Sequence, residues 1–195
     1  MKLLIACEES QRVCAAFRAK GHEAYSCGIL PCSGGHPEWH IQGDVLEQLD
    51  KGWDMMIAHS PCTYLSNAGA VRLYPKGKLN QERYEKGLEA KKFFMKLLNA
   101  DISKICVENP IPSTIYGLPK YSQTIQPFWF GHPFSKKTCL WLKGLSQLVP
   151  TQMVEKKQST KIAGWFNKGG KGKERQINRS KTFQGIADAM AEQWG

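Results

Sequence analysis

Three apolar runs in this sequence each end on a polar tripeptide, and that recurrence constrains the fold more than any other feature. Leu3 to Cys7 runs into Glu8-Glu9-Ser10, Met55 to Ala58 leads through His59 into Ser60-Pro61-Cys62, and Ile105 to Val107 runs into Glu108-Asn109-Pro110. Unbroken apolar runs of this length read as strands buried on both faces. Strands are expected at 1–7, 23–26, 53–58, 104–108 and 138–142. Helical periodicity separates them. Residues 10–20 put Val13, Ala16 and Phe17 on one face and close at Gly21. Residues 81–99 align Tyr84, Leu88, Phe93, Phe94, Leu97 and Leu98, and 181–194 form a last helix. Residues 31–43, rich in Gly, Pro and His, read as a loop. No internal repeat is evident. The alternation predicts an α/β fold, a mostly parallel sheet with helices on both faces. In such sheets ligands bind beyond the carboxyl ends of the strands. The three tripeptides therefore line one cleft with a thiol and several carboxylates.

The chain has 195 residues, enough for one such domain spanning 1–195 and too few for two of ordinary size. The first seven residues are too short for a signal peptide, no run of eighteen apolar residues suggests a membrane span, and the seven cysteines are odd in number. A cytoplasmic protein with reduced thiols is expected. The net charge of +10 favours a polyanionic partner such as nucleic acid. The excess is concentrated: residues 151–181 hold nine Lys or Arg against two Glu. Residues 143–180 read as a short basic insertion, in which Lys168, Lys171 and Lys173 could hold phosphates and Trp165 could stack on a base. For Lys168 to Lys181 a solvated charged loop is the competing reading.

Cys62 follows a proline at a strand end, where the fixed backbone could aim its thiol outward as a nucleophile. Taken alone it reads more readily as a buried structural cysteine. Glu108 could be a general acid or a hydrogen-bond clamp, or alone a surface or capping residue.

Together, Pro61-Cys62-x-x-Leu65-Ser66, Glu108-Asn109, Gly43-Asp44-Val45 and Gly185-Ile186-Ala187 resemble, in order and rough spacing, the motifs of the DNA cytosine-5 methyltransferases, and in particular their small phage-type members. The resemblance covers most of residues 1–142 and the last fifteen. It implies a Rossmann-like methyltransferase domain that uses S-adenosylmethionine and acts on DNA. Cys62 would add to cytosine C6, Glu108 would hold N3 and the exocyclic amine, and Lys137 would stand in for a family arginine. The cofactor would meet Ala6, Glu8, Glu9 and Ser10 at its methionine end, with Asp44 at the adenine, Gly28 and Ile29 near the ribose and adenine, and Pro61 and Gly185 alongside. Ser66, Asn109, Lys136, Trp165, Lys168, Lys171 and Lys173 would face the substrate.

Several positions depart from the family pattern. The glycine-rich first loop is replaced by Cys7-Glu8-Glu9-Ser10. Gly28 stands where an acid usually holds the ribose, Ile29 where an aromatic stacks on adenine, and His59 where a small residue is usual. Phe134-Ser135-Lys136-Lys137 replaces an arginine-bearing stretch. Two other functions remain on the same scaffold: a methyltransferase of RNA or free pyrimidine nucleotides, and a non-catalytic nucleic-acid or nucleotide binder. Cys27, Cys32, His36 and His40 also fall within fourteen residues. Their side chains could ligate zinc, although the spacing is not that of a common finger. The alternative is a cofactor-side loop in which Trp39 and His40 pack.

Overall fold

The computed structural model describes residues 1–156 and 180–195. Seven strands form one sheet: β1 (Lys2–Ala6), β2 (Glu23–Gly28), β3 (His40–Gln42), β4 (Met55–His59), β5 (Lys104–Pro110), β6 (Gln123–Ile125) and β7 (Thr138–Lys143). Their order is β3-β2-β1-β4-β5-β7-β6. The described helices are α1 (Arg12–Ala19), the single turn α2 (Asn67–Ala70), α3 (Gln81–Leu98) and α4 (Gln184–Trp194).

The expected mostly parallel sheet holds from β3 to β5, where every pairing is parallel. It needs correction beyond that point, because β7 lies antiparallel between β5 and β6. The cause is the connection. Residues 126–137 carry only the three-residue 3-10 turn Pro127–Trp129, too short to cross over a sheet, and a chain that turns back directly can pair only antiparallel.

Helices cover both faces. On one, Val13, Phe17, Ile186, Met190 and Trp194 from α1 and α4 close over Leu3, Ile5, Met55 and Ile57. On the other, Phe94 and Leu97 of α3 close over Leu4, Ala6, Met56 and Val107. Adjacent residues of β1 thus serve opposite cores, which is why the run is apolar throughout. Each fully buried large side chain contributes roughly 1.5–3 kcal/mol. Leu88, expected inward on α3, is exposed instead. Its neighbour Gly87 makes the inward contact, because a Cβ there would sit 2.1 Å from the Tyr116 ring.

Helix starts also shift. α1 begins two residues late, since Gln11 takes a left-handed φ of 56°. α4 begins at Gln184, after extended Phe183. The first part of residues 143–180 is fastened to the rest of the domain. Leu148 and Gln123 exchange hydrogen bonds, Ser146 accepts from Trp194, and Gln152 pairs beside Phe130.

Chain order reverses between β1 and β4. The chain passes from β1 outward to β3, then returns to β4 and proceeds outward the other way. Carboxyl-end loops diverge at such a point and leave a crevice. The loops after β1 and β4, at 7–11 and 60–66, flank it.

Candidate active site

At the carboxyl end of the central strands, His59 and Glu108 are register partners in parallel β4 and β5. Paired residues in adjacent strands point to the same face. Here His59 Nδ1 lies 2.8 Å from Glu108 Oε2. The side chains are only 9% and 14% exposed. Burial is the largest influence on each and opposes its charge. Mutual attraction outweighs it: His59 is raised above the ordinary imidazole value and Glu108 lowered below the ordinary carboxylate value. The charge of Glu8 also favours a protonated ring, and that of Lys136 opposes it. His59 Nε2 has no hydrogen-bond partner among the described residues.

The next residue, Asn109, is fully buried. Its amide donates to Ser60 Oγ at 2.8 Å and to the Ser60 carbonyl at 3.2 Å. This clamp ties the strand end carrying Glu108 to the turn carrying Pro61 and Cys62, both exposed. The Cys62 carbonyl accepts from Ser66 N at 3.1 Å, and buried Ser66 caps α2 through Gly69 N. Asn109 and Ser66, expected at a substrate, are thus engaged in holding the loop. Cys62 is not the buried cysteine of the alternative reading. It is the exposed thiol of the seven, whereas burial pushes Cys7 and Cys14 up to about 12 and Cys27 and Cys139 to about 11.

Glu108 also lines a cavity with Lys136, Thr138, Thr182, Phe183 and Ile186. Of the two adjacent lysines, Lys136 is the one whose charge acts on Glu108, while Lys137 is exposed and acts on Cys139. Gly185 lets α4 press against the connection between β6 and β7: a Cβ would meet the Phe130 carbonyl at 1.9 Å, and its amide donates to His132 Nε2 at 3.0 Å.

After β1, buried Glu8 turns back on α1. Its two oxygens accept from Val13 N at 2.8 Å and Cys14 N at 3.2 Å, and burial raises its carboxyl against the pull of His59 and these amides. A carboxylate is expected at a helix N-terminus. Glu9 and Ser10 are half-buried. Glu9 binds Ser33 through both main chain and side chain, and Gln11 bonds the His36 main chain twice, at 2.7 and 3.1 Å. Gly34 is required where these loops meet, since a Cβ would fall 2.5 Å from Gln11 Cβ. Sequence reasoning missed this fastening. Its only signals were the polar residues Gln11 and Ser33.

Across the crevice, Gly28 ends β2 with open space where a Cβ would project. Ile29 is 78% exposed. Asp44 caps the turn at Val45–Gln48, and its charge reaches Cys7 and Cys27. Half-buried Glu9 and Ser10 and exposed Ile29 and Asp44 thus follow the carboxyl ends of β1, β2 and β3, on the crevice side of the sheet. The zinc set does not converge. His40 contacts Ser26 Oγ and the Leu30 carbonyl, His36 stacks on Trp39, and among the described residues no three His, Cys, Asp or Glu are grouped to hold a metal. Trp165, Lys168, Lys171 and Lys173 lie outside the described residues. Among the described residues no helix is long and apolar enough to cross a membrane.

No family model matches the chain, and no curated protein does. Among solved structures, one similar chain is an E. coli protein encoded within a prophage and provisionally described as a DNA modification methyltransferase. It is 11% identical with a TM-score of 0.46 over 80% of this chain, which spans about half, 52%, of that protein's length.

Proposed function

We propose that this protein is an S-adenosylmethionine-dependent methyltransferase that acts on C5 of cytosine in DNA. The observation that carries the proposal is the Asn109–Ser60 clamp, which joins an exposed thiol, Cys62, to a nearly buried acid, Glu108, beside the reversal point of an open α/β sheet. A nucleophile and an acid on one rigid frame are what the reaction needs, because cytosine C5 must be made electron-rich before it can accept a methyl group.

Cys62 attacks C6 as the thiolate. Glu108 binds the N3 edge, and a proton delivered there neutralises the electron density that the attack pushes onto the ring. When bound, S-adenosylmethionine supplies an electrophilic methyl group. Asp44 and Ile29 would hold its adenosine end, and Glu9 and Ser10 its methionine end, with Glu8 acting through α1. Loss of the C5 proton then releases Cys62. The target base must leave the stack to reach these groups.

A second reading, a nucleic-acid or nucleotide binder without catalysis, is favoured by one observation: Glu8 spends both oxygens on α1 and Gly28 offers none to a ribose. Incubation with methyl-labelled S-adenosylmethionine and DNA, RNA or free cytidine nucleotides in parallel separates the readings. Label in DNA cytosine supports the proposal. Label in RNA or nucleotides moves the substrate, and binding without label supports the second reading.

A further inference from the structure

Resting on the pyrimidine reading, we infer that His59 is the proton-holding and positioning residue for Glu108, storing on Nδ1 the proton that Glu108 passes to the ring nitrogen of a bound base. Three observations meet here. The two residues are locked in register on adjacent strands, at 2.8 Å, with little freedom to part. Both are nearly buried, so their interaction is weakly screened. The other ring nitrogen, Nε2, is buried without a partner among the described residues, so no neighbouring acceptor fixes its proton.

The groups facing the pair set which member holds the proton. Glu8, from the loop after β1, acts on His59 in favour of the imidazolium. Lys136, from the segment before β7, favours the Glu108 carboxylate and disfavours the imidazolium. The buried thiols Cys106 and Cys139 feel the Glu108 charge and are themselves pushed up, which keeps them neutral. The hydrogen bond and mutual attraction favour imidazolium beside carboxylate. A lone carboxylate at neutral pH has no proton to give.

The step balances. The Cys62 thiolate forms a bond to C6, and the C5–C6 π electrons are displaced toward the ring nitrogen. The Nδ1–H bond breaks as an Oε2–H bond forms, leaving a neutral imidazole protonated at Nε2. The carboxyl proton then passes to the ring nitrogen, so Glu108 ends as carboxylate and the adduct as a neutral enamine. Elimination of Cys62 returns the proton by the same route.

The test uses the full chain. Ring-nitrogen NMR of 15N-labelled protein follows His59 across pH, assigned by the signal lost in His59→Gln. Its midpoint should lie above the ordinary imidazole value and drop in Glu108→Gln. A ring neutral at pH values where a free imidazole is still protonated overturns the inference, and wild type alone decides this arm. In the second arm, with S-adenosylmethionine present, the rate of adduct formation with DNA containing 5-fluorocytosine should fall in wild type as pH rises through that midpoint. His59→Gln should lose this limb and slow by about 10²-fold, with DNA affinity unchanged. The same profile in both proteins overturns the inference but leaves the Cys62 chemistry standing. A raised midpoint with no adduct at any pH overturns the pyrimidine reading, and the delivery step with it.

Discussion

His59 and Glu108, 49 residues apart in sequence, form a nearly buried hydrogen-bonded pair across β4 and β5, Nδ1 to Oε2 2.8 Å. Removing one partner of such a pair leaves the other charge buried, which is costly, so each residue constrains the other. The pair also makes stability depend on pH in a definite way.

The His59 value is raised on folding, so its contribution is complete below the ordinary value of 6.5 and is lost as pH rises through the folded one. Glu8 is raised too, so it also loses its contribution as pH rises. Glu108 is lowered, so its contribution is present above 4.5 and is lost as pH falls through its folded value. Stability should therefore peak on the acid side of neutrality, between these limits. Urea denaturation across pH should give that maximum, and Glu108→Gln should flatten the fall on its alkaline side.

Glu8 is expected to be structural first. Glu8→Ala leaves two amides of α1 without an acceptor in a buried place, which should cost about 2–3 kcal/mol. Glu8→Gln keeps an acceptor oxygen and should cost less. Equal denaturation midpoints for Glu8→Ala and wild type would contradict the capping role.

The thiols should react in a fixed order. Cys62 is exposed and should be alkylated first, with half-buried Cys32 next. Cys14, Cys27, Cys106 and Cys139 are buried and, with Cys7, are pushed well up by burial, so they should stay unmodified until the protein unfolds. Peptide mass mapping after a short iodoacetamide pulse checks this order.

Gly28→Asp should tighten binding of S-adenosylhomocysteine. The added side chain enters open space, and a charge-assisted hydrogen bond to the ribose hydroxyls is worth roughly 1.5–3 kcal/mol, about 10- to 150-fold. Titration calorimetry on both proteins measures it. Unchanged affinity would mean that the ribose is held from elsewhere.

The central strands were legible because β1, β4 and β5 are buried on both faces and so carry unbroken apolar runs. The edge strands were not. His40–Gln42 and Gln123–Ile125 are three residues long and polar, as short sheet edges often are, and nothing in them has the period of a strand. The direction of β7 depends on what lies before it, and 126–137 has no pattern of a helix long enough to cross over. In the site, the polar tripeptides marked the right end of the sheet. Their division of labour was hidden, because Glu8 and Glu9 look alike in sequence, yet one caps α1 and the other fastens a loop. His59 drew notice only as a departure from a small residue, since its partner is set by register across two strands.

The most direct test of the central claim is covalent trapping. The protein is incubated with S-adenosylmethionine and duplex DNA carrying 5-fluorocytosine, whose fluorine blocks the final elimination, and the product is digested and mapped by mass spectrometry. A methylated DNA adduct should appear on the peptide carrying Cys62 and be absent from Cys62→Ala. Methylation of ordinary cytosine by Cys62→Ala at the wild-type rate, or an adduct mapped to another residue, would contradict it.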